Sequence, residues 1–448
     1  MSLDRRQFLA GSAGLLGFAG LGRLWAGDPP PAFGGGLVAD PQRVIALPAG
    51  FRYRIIGRTG DAMADGLVLP ARPDGMAAFA GPDGLTLVVR NHEMDPGWGL
   101  GPFGEGNRLV GHLPAGRLFD AGGGKTPALG GTTTFVYDTS KGELVRQFLS
   151  LAGPLRNCAG GPTPWGSWIS CEETTQRAGP FKNNGQADQD HGWCFDVQAT
   201  AEPALAEPRP IRGLGRFNHE AIAIHPTSGV VYLTEDRHDG LLYRFLPKDP
   251  QDLHAGGRLQ ALVVAERPSL DTRNWRSRAW AVGSTERAHW IDLVDTDAPK
   301  DDLRHRGHAT GAAVFARGEG MWAAADGDIW FTATSGGPAQ AGQVWRLRET
   351  EGGDRLDLFW EAQDKSGPVN IDNLTVAPDG SLLLCEDRQG RDVRLIRLTA
   401  DGQLSILAHN HLRSEFAGAC VSPDQSTVFV NIQGPGLTLA IAGPWPWL

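Results

Sequence analysis

The sequence predicts an all-β fold, a six-bladed β-propeller with inter-blade insertions. Three observations carry this: a turn-and-strand repeat, a flanking strand beside each copy, and a composition rich in turn residues. In the repeat, a Pro- or Gly-bearing turn leads into a short β-rich run that ends in polar residues. Gly81-Pro82-Asp83-Gly84 leads to Asn91-His92-Glu93, Pro164-Trp165-Gly166 to Cys171-Glu172-Glu173, and Pro226-Thr227-Ser228-Gly229 to Glu235-Asp236-Arg237. Asp326-Gly327-Asp328 leads to Thr332, Pro378-Asp379-Gly380 to Cys385-Glu386-Asp387, and Pro423-Asp424 to Asn431, which makes six copies.

Each copy has a further strand downstream: Thr133–Tyr137, Trp193–Val197, Leu242–Phe245, Val344–Leu347, Val393–Ile396 and Leu437–Ile441. The last copy runs out of chain, so the early strand Phe51–Ile56 is expected to complete it and lock the ring. Closure removes the exposed strand edges that an open sheet of this size would carry. The 61 Gly and 31 Pro residues follow no collagen-like period and fit many short connections. The segment of about 252–308 holds Trp275, Trp280 and Trp290 and is expected to be a folded excursion over one face of a single propeller domain, residues 27–448.

Residues 1–26 read as a targeting segment. Arg5-Arg6 precede Phe8-Leu9 and a Gly/Ala-rich apolar run to Leu21, the pattern of a twin-arginine export signal, with cleavage near Ala26. The run is too short and too rich in glycine to span a bilayer, and no other apolar run is longer. The expected partner is therefore the twin-arginine export machinery, with a periplasmic or secreted destination and no stable membrane span. A net charge of −9 argues against nucleic acid as a partner and fits a surface that gathers cations. The five cysteines are odd in number and form no CxxC pair, which excludes a zinc-ribbon reading.

Glu319, Asp372 and Cys158 each lie eight residues before the turn glycine of their copy, and Glu220 lies nine before its own. Glu415 stands at a similar point before Pro423-Asp424, and the first copy places Asp74-Gly75-Met76 there. These are the first residues of the innermost strands, which line a propeller channel. The geometry predicts that Cys158, Glu220, Glu319, Asp372 and Glu415 converge at one channel mouth, with Glu93, Glu172-Glu173, Glu235-Asp236 and Glu386-Asp387 just outside. Two like charges at about 4 Å repel by about 4 kcal/mol at intermediate dielectric, so such a cluster calls for protons or cations. Excess oxygen ligands suit calcium, magnesium, manganese or ferric iron, and a thiolate favours a transition metal.

Cys194, Cys385 and Cys420 read as small core residues, whereas Cys171, beside Glu172-Glu173, reads equally as core or ligand. His92 and His219 sit in Asn-His-Glu triplets that suit either a ligand or a hydrogen-bonding support. Arg317 lies two residues before Glu319, hence on the same strand face, as either a structural ion pair or a phosphate clamp. Arg237 and Arg388, in the two Glu-Asp-Arg triplets, suit the same roles from the second tier, with a solvated surface position the first expectation.

The blocks Asn157–Gly166 with Cys171-Glu172-Glu173, Phe217-Asn218-His219-Glu220, Tyr232–Arg237, Phe315–Gly320, Asp372–Thr375 and Val430–Gln433 resemble the PhoX-type alkaline phosphatases over roughly residues 40–448. The resemblance implies a phosphomonoesterase that acts on small phosphate esters; separately, the chain is expected to be a monomer. It also implies a cluster of ferric iron and calcium with a cysteine thiolate on iron. Cys158 would be that thiolate, with Cys171 as fallback. Glu220, Glu319, Asp372 and Glu415 would be ligands, together with Glu172 and Glu93 from the second strands, and Arg317 would hold phosphate. The chain is shorter than the better-known members, which bears on outer calcium sites and substrate range. A calcium-dependent propeller hydrolase of lactones or esters, and a non-catalytic calcium-stabilised binding propeller, are the competing readings. No GxSxG elbow, GxGxxG unit or Walker loop is present.

Overall fold

The computed structural model describes residues 36–181, 185–388, 390 and 393–447, so the signal segment expected at 1–26 lies outside the described residues. Each turn joins two antiparallel strands; in the first five a glycine takes the positive φ that the reversal needs, as at Gly327 (96°) and Gly380 (77°), and in the last Gln425 does so (64°). The first strands of these pairs are Pro73–Ala80, Asn157–Pro162, His219–Ile224, Gly318–Ala323, Ile371–Val376 and Phe416–Val421. Each packs against the next and the last packs against the first, so these six strands form a closed ring. The expected all-β propeller arrangement is present, and the seven-residue Leu303–Ala309 is the α-helix among the described residues.

Hydrogen bonding does not give one sheet per blade: the described strands form four sheets of three to six strands, one of ten, and a separate two-stranded pair. Thr285–Asp292 pairs with Gly257–Val264 on one side and Asp354–Glu361 on the other, fusing two expected blades into one ten-stranded sheet. The segment around 252–308 is thus built into the sheet as well as lying over it: Gly257–Val264 is also the fourth strand after His219–Ile224, Val231–Glu235 and Gly240–Pro247. The expected closing strand is in place, with Arg52–Arg58 antiparallel to Leu437–Ala442, from Leu437 opposite Arg58 to Ala442 opposite Arg52. Ile45–Pro48 adds to Leu404–Asn410 of the neighbouring sheet, so the N-terminal chain ties two sheets together.

Sheets stacked around an axis are covered on both faces, and the strands show it: every residue of Val231–Glu235 and Leu382–Glu386 is buried. The core lies between sheets, as where Ile169, Ile222, Leu233 and Phe245 pack together. Trp280 is buried edge-on to Trp345 at 5.1 Å, anchoring the excursion. The inner strands approach so closely that glycine is required. A Cβ on Gly161 would fall 2.1 Å from the Ile222 carbonyl oxygen, and one on Gly418 (φ +61°) would fall 2.2 Å from that of Asp74.

Candidate metal centre

All six inner strands carry the same irregularity at the same place. The register shifts between Pro73 and Met76, Asn157 and Gly160, His219 and Ile222, Gly318 and Met321, Ile371 and Leu374, and Ala417 and Cys420. A bulge re-aims one side chain and leaves backbone groups out of the ladder. Here the re-aimed residues are Asp74, Cys158, Glu220, Glu319 and Asp372. Several freed carbonyls accept a hydrogen bond from the neighbouring sheet: Asn431 Nδ2 donates to Asp74 (2.6 Å), Thr234 Oγ1 to Glu319 (2.6 Å) and Thr332 Oγ1 to Asp372 (2.7 Å). The ring therefore fixes the bulges as well as the strands.

The structure brings these residues together. Ligand atoms of Cys158, Glu173 and Glu220 all lie within 4.8 Å of one another, as do those of Glu220, Glu319 and Asp372. Glu220 belongs to both groups, so the two possible cation sites adjoin. Cys158, Glu220 and Glu319 are buried, and Glu173 and Asp372 are half-buried. Burial first, then Asp372 and Glu173, push the Glu220 carboxyl well up. Burial and then Asp387 raise Asp372 to about 8, and burial and then Glu220 raise the Cys158 thiol. Carboxyls and a thiol forced toward their neutral forms are what a metal-binding cluster shows before its cations compensate the charge. The donor set, oxygen-rich with one sulfur, fits iron and calcium.

Arg317 is tied into this cluster. Its Nε and Nη2 donate to the two oxygens of Asp236 at 2.7 and 3.1 Å, and Nη2 also reaches Glu319 Oε1 at 2.7 Å. Burial would raise the Asp236 carboxyl, but the Arg317 fork outweighs it and holds the group below the usual range.

The acidic pairs at the ends of the second strands divide their labour by strand alternation. The first member of each is buried and holds loops. Glu172 accepts from Leu155 N (2.8 Å), Gly192 N (2.8 Å) and Trp193 N (3.1 Å) and bonds His191 Nδ1 at 2.5 Å. Glu235 accepts from Tyr243 Oη at 2.7 Å, and Glu386 takes the Arg394 fork. The second member faces the axis. The backbone amides of Glu93, Glu173, Asp236 and Asp387 donate to the carbonyls of Arg72, Arg156, Asn218 and Asn370 at 2.9–3.1 Å, which aims the side chains inward.

Of the expected ligands, Glu172 and Cys171 point away from the two groups, and Glu415 stands beside them. Glu172 points away into the loop network, and its neighbour Glu173 takes the expected place. Cys171 is fully buried opposite Cys194, with Sγ atoms 3.6 Å apart, in the apolar core rather than the cluster. Glu415 lies before the last inner strand, and the bulge there falls at Gly418; its carboxyl instead faces Asp387 and is pushed up to about 11 by burial and that neighbour. Glu93 stands beside the groups, bonded to Arg72, Arg156 and Gln433. Gln433 bridges Glu93 to Asp74 (3.0 and 2.6 Å), so Asp74 joins the acidic lining. Asp74 stands at the inner-strand position expected of the first copy, whereas Glu173, Asp236 and Asp387 were expected just outside the cluster and not as its inward-facing set. His92 and His219 are buried with ring nitrogens bonded to the Ala71 and Gly215 carbonyls, as supports.

A propeller whose axis carries overlapping acidic and thiol donor groups beside an anchored arginine defines a metal-dependent hydrolase of anionic esters. The chain belongs to the alkaline phosphatase PhoX family, whose model matches residues 33–436, and it is a phosphomonoesterase. Among solved structures, it is similar to Pseudomonas fluorescens PhoX in complex with vanadate, a transition-state analogue, with a TM-score of 0.68 and 18% identity over 92% of this chain and 98% of that one. A gluconolactonase from Xanthomonas campestris (13% identity, 93% and 99% coverage) and the periplasmic gluconolactonase of Pseudomonas aeruginosa (15%, 88% and 92%) match at a TM-score of only 0.40, too low to bear on function. No curated protein matches the chain in sequence. Among the described residues no helix is long and apolar enough to cross a membrane.

Proposed function

We propose that the six inner strands define a six-bladed propeller whose mouth holds iron and calcium, and that an exported enzyme, periplasmic or secreted, uses them to release phosphate from small organic phosphate esters. The observation that carries this is the pair of donor groups sharing Glu220, one with a thiol and one all-oxygen. Cys158, Glu173 and Glu220 would hold iron, and Glu220, Glu319 and Asp372 the adjoining cation, with Glu93, Asp74, Asp387 and Glu415 lining the approach. When bound, the cations supply charge neutralisation at the phosphoryl oxygens.

The chain's own residues do the rest. Arg317, held by Asp236 and Glu319 through Nε and Nη2, presents its remaining Nη1 donors already ordered before substrate arrives, so little rotamer entropy is lost on binding phosphate. Its backbone, at φ 56°, is left-handed, which fixes where the side chain leaves the strand. The buried walls around Glu220 exclude water and strengthen each charge–charge contact.

The test is iron and calcium content measured on natively exported protein alongside p-nitrophenyl phosphate turnover. Cys158→Ser is expected to lose iron and activity together, and Cys171→Ser to keep both. Iron retained in Cys158→Ser would remove the thiolate from the proposal. Protein that binds calcium alone would overturn the iron assignment.

A further inference from the structure

Arg72, Arg156 and Arg317 occupy one position of the repeat, two residues before Asp74, Cys158 and Glu319. All three have left-handed backbones, with φ of 50°, 51° and 56°, uncommon for a residue with a side chain. Their carbonyls accept the amides of Glu93, Glu173 and Thr334 at 3.0, 3.0 and 2.9 Å. Three guanidinium groups thus rise from one tier around the axis.

Their hydrogen-bonding states differ. Arg317 spends three bonds of 2.7–3.1 Å on Asp236 and Glu319. Arg72 makes one side-chain hydrogen bond among the described residues, at 3.5 Å to Glu93, and its Nε is buried without a partner. Arg156 bonds Glu93 (3.3 Å) and Glu173 (2.7 Å) through Nη2 alone, and its Nε is also buried and unpartnered. A guanidinium offers five N–H donors, so both carry unused capacity for an anion. Trp98 lies against both, its ring centroid 4.8 Å from the Arg72 Cζ and 5.2 Å from that of Arg156. Cation–π contact orders the two side chains without consuming their donors. Both remain about 30% accessible, and the indole itself is 38% exposed.

We propose that Arg72 and Arg156, braced on Trp98, form a second anion subsite one guanidinium away from the Glu173 carboxylate, and that it receives a carboxylate or second phosphate on the leaving group of the ester. This rests on the phosphomonoesterase reading and narrows its substrate class to phosphate esters with a further anionic group. A planar fork with unused donors gains charge-assisted bonds from such a group, and a neutral alcohol offers only a weaker, uncharged acceptor.

The experiment compares kcat/KM for 3-phosphoglycerate and glycerol 3-phosphate, which differ in a carboxylate. The wild-type protein is expected to prefer 3-phosphoglycerate. Arg72→Gln is expected to lower that preference at least fivefold, through KM. Arg72→Lys, which keeps the charge and loses the fork, is expected to fall between, and it carries the comparison if Arg72→Gln does not fold. A wild-type protein that hydrolyses both esters without preference, or a preference that Arg72→Gln and Arg72→Lys leave within twofold, overturns the subsite. Hydrolysis of neither ester while p-nitrophenyl phosphate is turned over also overturns it. Inactivity toward all three in metal-loaded protein would instead take down the phosphatase reading, and the subsite with it.

Discussion

His191→Gln tests how the loops behind the site are held. His191 is fully buried between two carboxylates, with Nδ1 2.5 Å from Glu172 Oε1 and Nε2 3.0 Å from Asp120 Oδ2. Burial alone would lower the pKa of the ring, but Glu172, then Asp120, outweigh it and raise the value to about 9. From an ordinary value of 6.5, a rise of roughly 2.5 units corresponds to about 3 kcal/mol of stabilisation by the imidazolium. The folded-state pKa lies above the unfolded one. The contribution is therefore complete below about pH 6.5 and disappears as pH rises through about 9. Glutamine keeps some hydrogen bonding and carries no charge. Denaturant unfolding at pH 6 should show the variant less stable than wild type, and by pH 10 the gap should shrink by about 3 kcal/mol. A gap of equal size at both pH values would refute the charged-ring account and leave only packing as the cause.

Further outcomes follow from the same geometry. Glu386→Gln, which breaks the buried pair with Arg394, should cost about 3–5 kcal/mol of stability, whereas Asp387→Asn should lower metal content with little loss in melting temperature; reversed effects would contradict the division between the two acids. Gly161→Ala should destabilise by about 1–3 kcal/mol or more, because its Cβ meets backbone that cannot turn aside; a neutral result in thermal unfolding would show that the ring can widen. Metal-depleted protein should lose stability as pH rises from about 4 toward 8, since carboxyls such as Asp372, with a pKa raised to about 8, bind their protons more tightly folded than unfolded. Restoring metal should remove that slope, and a melting temperature flat across this range in both forms would count against the cluster.

Much of this arrangement can be read from the chain because the fold repeats it. A bulge at a fixed distance from each turn glycine places Cys158, Glu220, Glu319 and Asp372, and counting back from the glycine finds them. The count drifts at Glu415 because the last turn has no glycine to mark it. Ser426 stands eight residues after the bulge residue Gly418, and Pro423-Asp424 comes earlier. Choosing Glu172 over Glu173 requires knowing where the second strand ends, since one residue along a strand reverses the face. The bridge at Thr285–Asp292 leaves no apolar alternation to read: most of its side chains are exposed or half-buried, and backbone pairing on both edges holds it. Asp236 enters the site through its contact with Arg317 from another strand pair, which no local pattern encodes.

The most direct measurement is X-ray diffraction from crystals of the natively exported protein, collected above and below the iron absorption edge. An anomalous peak enclosed by Cys158, Glu173 and Glu220, present above the edge and absent below it, is the predicted result. Fully ordered side chains with no such peak, or iron located away from these three residues, would contradict the account.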